Sequence, residues 1–384
     1  MKFVEIQYPY MPRVLTEGAR IQHAEDILFW EGSAGAQRVI HSLEQMSKEG
    51  HKDVTVKWDG SPAVIFGRDE AGNFILTDKS GFTAKGYDGR SKSAEELEAM
   101  LKARKGASNP DPVKRNNYLQ FVGNMTDIFP LYERAVPQDY RGFFKGDMLY
   151  FTTPELQDGQ YVFKPQLVQY SVDANSELGK KIGASKTGVV IHRQVDPDGT
   201  EQPLRDPDIF QGTDVLVVPP VTAEKPVKVD TRGIDLLKRT VSKYGAQIDD
   251  LLNPAELASR QLKNLPDILY SYCNSKVDTD FSNLGADFMQ WLETSKLTQR
   301  KRDNLTAYLQ EHQAGFQAVW VMYNAIVKIK DDIVNKFDSQ GMAVKQSIPG
   351  HGEGGEGYVL AHPEGDIKLV PREFFSKANR AVQR

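Results

Sequence analysis

The stretch VTVKWDGSPAVIFG, residues 54–67, decides how this chain is read. Val54 and Val56, then Ala63 and Ile65, alternate with polar or small neighbours, which predicts two half-buried strands around a turn at Asp59-Gly60-Ser61-Pro62. Lys57 stands at the mouth of that turn. The same period of two continues through FILTDKSGF, so a β meander with turns at DGSP and DEAGN is expected over 54–83. Upstream, residues 34–48 carry apolar positions at helical spacing.

Further along, 93–105 and 112–135 read as helices, and FFKGDMLYF (143–151), YVFKPQLVQYSV (161–172), TGVVIHRQV (187–195) and TDVLVVPP (213–220) as strands. The proline-rich 217–230 has the composition of a connector. Beyond it, 233–253, 255–275, 283–295 and 299–337 are periodic at helical spacing with almost no strand signal. Two short strands around an HPEGD turn then close the chain within 348–375. The expected fold class is α+β, with a mostly antiparallel sheet. The expected organisation is a core in 1–225, an inserted helical domain in 226–345, and C-terminal strands in 346–384 that complete the core, because sheet edges need partners.

The bulk properties narrow the function. A net charge of −4 and a pI near 6.0 create no global field for nucleic acid, so any polyanion must meet a local basic patch. One cysteine, Cys273, permits neither an internal disulfide nor a cysteine metal site, which suits a reducing cytoplasm. The start lacks the apolar core of a signal peptide and no run of about 18 apolar residues occurs. A soluble cytoplasmic protein without membrane partners is therefore expected.

Lys-x-Asp-Gly alone is a short pattern. Here it is followed in order by DKSGF (78–82), FKGDMLY (144–150), VFKP (162–165), EGYVL (356–360) and IKLV (367–370), each on a strand or strand end. The ordered set resembles the covalent nucleotidyltransferase superfamily of ATP-dependent DNA ligases, RNA ligases and mRNA capping enzymes. HAEDILFWEG, KWDGSPAVIFG, KGDMLY and GVVIH also resemble an uncharacterised group of tailed-phage proteins. The resemblance implies an antiparallel-sheet nucleotidyltransferase core, ATP-grasp-like. It makes Lys57 the nucleophile that takes AMP from ATP, with Asp59 and Gly60 shaping its turn. Lys79 and Lys368 become phosphate contacts, Phe163 a platform for the adenine, and Asp147 and Glu356 oxygen ligands for ribose or Mg²⁺. Such an attack needs an amine that is partly neutral near pH 7, whereas lysine ordinarily titrates about three units higher.

Several departures shape the expectation. Glu353 competes with Glu356, and an aromatic such as Phe163 also suits a strand core. His192 reads as a packing or hydrogen-bonding residue. Lys368 lacks the family's second lysine, having Asp366 and Val370 in the flanking positions, so one phosphate contact is missing or comes from Arg372 or Lys345. Only 384 − 368 = 16 residues follow Lys368, too few for a C-terminal oligonucleotide-binding barrel. KWDGS is closer to an RNA-ligase pattern than to a DNA-ligase one. The expected function is a polynucleotide ligase, RNA more than DNA, holding RNA or nicked DNA on Lys296, Arg300, Lys301 and Arg302 of the helical block. Lys102, Arg104 and Lys105 are the next candidates. Transfer to a protein or small molecule, or a nucleotide-binding protein with a vestigial site, stay open as alternatives.

Overall fold

The computed structural model describes residues 22–46 and 51–383, apart from 197–199, 203, 205, 220, 224–226, 280, 282, 340–343, 361 and 363–365. Strand β1 (Gln22–His23) leads into helix α1 (Ile27–Gln45). The helix starts well before residue 34 because Ile27, Leu28 and Phe29 supply a further buried turn. It bends at Gly32, whose φ is 58°, and Asp249 caps the far side, accepting from Ser33 N at 2.8 Å and Ser33 Oγ at 2.6 Å.

Next come β2 (His51–Val56), β3 (Ala63–Arg68) and β4 (Phe74–Asp78). The β3–β4 hairpin forms over DEAGN as the alternation predicts. The expected β2–β3 pairing does not form, because the DGSP turn carries the chain from one sheet to another. Its hydrogen bonds give the reason: Ser61 N donates to Met148 O at 2.8 Å and Met148 N to Pro62 O at 3.0 Å. Helices α2 (Lys79–Phe82), α3 (Ala94–Lys102) and α4 (Pro112–Ala135) follow. The start of α4 is written in NPDP: Asp111 accepts from Val113 N and Lys114 N, with Pro112 in the first turn.

Then run β5 (Gly142–Tyr150), β6 (Glu155–Gln157), β7 (Gln160–Phe163), β8 (Gln169–Asp173), α5 (Glu177–Ala184), β9 (Thr187–Val195), β10 (Glu201–Gln202), β11 (Val215–Val217) and β12 (Thr222–Ala223). The helical block holds α6 (Thr231–Leu251), α7 (Pro254–Ser259), α8 (Leu265–Lys276), α9 (Phe288–Thr294), α10 (Gln299–Glu311) and α11 (Gln313–Asp338). The chain returns to strands in β13 (Val344–Ile348), β14 (Gly352–Glu353), β15 (Tyr358–Leu360) and β16 (Ile367–Leu369), then ends the described part in α12 (Arg372–Gln383). That last helix is absent from the sequence reading.

The strands form three sheets among the described residues, in the orders β1-β16-β15-β2-β12, β10-β9-β5-β3-β4 with β11 beside β9, and β14-β13-β8-β7-β6. Strands β15 and β16, from beyond the helical block, therefore lie beside β2, with Tyr358 opposite Val56 and Leu369. One apolar core joins α1, the first and third sheets and the helical block; a second lies between β3, β4, β5 and β9 and helices α3 and α4. The fold is mixed α+β, and no helix among the described residues is long and apolar enough to cross a membrane.

Candidate active site

Strand β2 buries Val54 and Val56 and turns Thr55 the other way, so Lys57 follows Thr55 onto the less buried face. Lys57 N donates to Gly357 O at 2.9 Å, which continues the β2–β15 ladder past the last paired residue. This register sets Lys57 opposite Gly357, next to Glu356, and the Lys57 ammonium forms an ion pair with Glu356 Oε1. Glu353, the competing acid, lies exposed on β14. Burial pushes the Glu356 carboxyl above its ordinary range, although Lys57, and less strongly Lys368, favour the carboxylate.

Lys368 sits on the same sheet face. It pairs with Val359 on one side and with His23 on the other, and Val359 pairs with Thr55. His23, which the sequence reading passes over, thus joins Lys57 and Lys368 on one sheet face. Burial, then Arg372, Lys330, Lys368 and Lys57 in that order, hold the His23 imidazole well below its usual range.

Asp59 and Gly60 fix the turn. The Asp59 carboxylate accepts from Leu167 N at 3.1 Å and its amide donates to Tyr170 Oη at 2.5 Å. The first of these bonds holds the 164–168 loop that splits the expected 161–172 strand into β7 and β8. A Cβ on Gly60 would stand 2.6 Å from Asp147 Cβ, so glycine lets the turn close on β5. Asp147 Oδ2 lies 2.9 Å from His192 Nε2. Since a carboxylate only accepts, His192 carries a proton there. Arg193, the neighbour of His192, reaches Asp366 at 3.8 Å and links the second sheet to the first.

Other expected residues are placed differently. The Phe163 ring is 7 % exposed and packs against Trp58, Tyr150 and Tyr170. Lys79 opens α2, exposed, and no described contact joins its side chain to Lys57 or Glu356. Asp147 and Glu356 stand on different sheets with no described contact between them, and no group of three or more metal-ligating side chains occurs among the described residues. Lys345 lies on β13, exposed, while Arg372 turns away from the site to Asp26, at 2.8 Å. In the helical block, Lys301 bonds to Asn264 Oδ1 and Arg302 to the carbonyls of Ser295 and Leu297 at 3.2 and 3.0 Å, so only Lys296 and Arg300 of that cluster are exposed. Arg104 pairs with Asp78 at 2.6 Å and Lys102 with Glu98, which engages most of the second basic group as well.

The chain belongs to a family of unknown function, DUF6267, which it matches over residues 19–89 and 108–384. No curated protein and no solved structure matches it.

Proposed function

We propose that this chain is an ATP-dependent nucleotidyltransferase that forms a lysyl-AMP intermediate on Lys57, and that it serves as a polynucleotide ligase, RNA more than DNA. The observation that carries the reading is the Lys57–Glu356 ion pair, in which the first and fifth motifs of the ordered set meet, with Lys368 of the last motif on the same sheet face. In this scheme Lys57 Nζ bonds to the α-phosphorus of ATP as the bond to the pyrophosphate oxygen breaks. Before that attack one ammonium proton passes to Glu356, whose burial already favours the protonated carboxyl, which frees the lone pair, and the second proton, released as the nitrogen–phosphorus bond forms, leaves with the pyrophosphate. AMP then passes to a 5′-phosphate, and a 3′-hydroxyl displaces it.

The donor chemistry fits Mg²⁺. Asp147 offers hard oxygens, Glu356 being the proton acceptor for Lys57, and Mg²⁺ commonly takes one or two carboxylates with phosphates and waters completing the shell. Bound there, it would neutralise phosphate charge. A protein or small-molecule acceptor is the second reading, favoured by the engagement of Lys301 and Arg302 within the helical block.

The test is incubation with α-labelled ATP and Mg²⁺ followed by denaturing electrophoresis. The wild type should carry acid-stable label and Lys57→Ala should carry none. Equal labelling of the two proteins would end the assignment, and joining of nicked or single-stranded acceptors separates the two acceptor readings.

A further inference from the structure

We propose that His23 is a phosphate-binding residue of the Lys57–Lys368 face, a third donor delivered by β1. The proposal rests on the nucleotidyltransferase reading, because it places a ligand in the same site. Strand β1 is only two residues long, yet it is pinned: it pairs in parallel with β16, and Ala24 N donates to Lys368 O at 3.1 Å. Residues directly opposite across a sheet share a face. His23, Lys368, Val359 and Thr55 are such a row, and Lys57 lies two residues beyond Thr55.

Within that row the Nδ1 atom of His23 is shut off from solvent and has no hydrogen-bond partner among the described residues. An unpaired buried ring nitrogen is costly, and an oligophosphate oxygen would satisfy it. The charges that act on the ring are, strongest first, Arg372 from α12, Lys330 from α11, Lys368 from β16 and Lys57 from the end of β2. The acids nearby are engaged, Glu25 by Lys330, Asp26 by Arg372 and Glu356 by Lys57. Burial first, and then these cations, keep the ring neutral in the free protein. An arriving oligophosphate reverses the local field, favours the imidazolium and draws a proton onto the ring. Histidine here adds a cation when the anion is present, where a second lysine would repel Lys57 and Lys368 permanently.

Isothermal titration of the full chain with inorganic tripolyphosphate, in buffers of different ionisation enthalpy, tests this by counting protons taken up. The wild type should take up more than His23→Gln, and His23→Gln should bind about tenfold more weakly. The ratio of their affinities should widen from pH 8 toward pH 6, by at most about tenfold per pH unit for one proton. Lys368→Gln should weaken binding while leaving the uptake in place, and His23→Asn gives the same comparison where glutamine does not fold. Equal proton counts or equal affinities in wild type and His23 variants would overturn the proposal while leaving labelling at Lys57 untouched. A wild type that binds no tripolyphosphate and takes no label would overturn both readings.

Discussion

Two sets of opposite charges meet near β1 and β16, and they are built to different ends. Glu25, Asp26, Lys330 and Arg372 are all buried. Arg372 Nη1 meets Asp26 at 2.8 Å and Tyr323 Oη at 2.9 Å, Tyr323 donates to Asp26 at 2.8 Å, and Lys330 meets Glu25 at 2.8 Å. With Asp331, 3.6 Å from Lys330, as a third acid, these groups tie the segment before α1 to α11 and α12. Lys57 and Glu356 are different. Their side chains keep 19 % and 15 % of their exposure, and an ammonium with three donors has one carboxylate in contact. The lesson is that burial separates the two sets: a charge network shut away from solvent holds segments together, whereas an ion pair left partly open can be rearranged by a ligand.

The harshest way to break that comparison is Arg372→Met, which leaves Asp26 buried without its cation. A loss of about 3–5 kcal/mol is expected in urea denaturation, and a loss below about 1 kcal/mol would put the two sets on equal footing. Gly60→Ala comes next. Its new Cβ would press on Asp147 Cβ at 2.6 Å and on Met148 O at 2.9 Å, so about 1–3 kcal/mol should be lost, together with labelling at Lys57. Unchanged labelling would mean that closure of the turn on β5 does not position the lysine.

Glu356→Gln sharpens the contrast from the other side. Stability should fall by about 1–3 kcal/mol, less than for Arg372→Met, because the mostly buried Lys57 ammonium loses its carboxylate, while labelling falls by about 10²-fold or more. Wild-type labelling in that variant would make the pair structural.

A subtler signature is the pH dependence of stability. Burial above all, and then the charge of Glu25, push Asp26 from its ordinary 3.8 up to about 6, against the pull of Arg372. The folded state therefore holds a proton that the unfolded state has released, so stability should fall as pH rises from about 4 to about 6 and then level off. Thermal denaturation across that window should show a shallower fall for Asp26→Asn; equal slopes would remove Asp26 from the account. The smallest effect is expected for Lys296→Gln with Arg300→Gln, both exposed, where stability should stay within about 0.5 kcal/mol and labelling should not change.

Element types were largely legible because periodicity is local. The expected helix at 112–135 and strand at 187–195 match α4 and β9 at both ends. Breaks inside apolar runs were not legible. The 255–275 pattern passes straight through the turn where Gln261 takes a φ of 60°, and the 299–337 pattern through the junction at His312. Helix α12 had a signal, since Arg372, Phe375 and Ala378 are buried three apart, but it follows a strand so closely that the β pattern masks it. His23 and the buried acids had no local signal at all. Asp26 and Arg372 are 346 positions apart.

What the sequence determined by itself is chemical identity and order: a lysine before an Asp-Gly turn, an acid before Gly357, a lysine on the last strand, and the α+β class that carries them. Only the tertiary structure decided which of these meet. It chose Glu356 over Glu353 for Lys57, put His23 beside Lys368, turned Arg372 and the Phe163 ring into the core, and sent the chain across the DGSP turn into a second sheet. The reason is physical. Side-chain chemistry and periodicity belong to each residue and its near neighbours, whereas contact between distant segments depends on which apolar faces are buried together and on which strand edges are thereby left to pair.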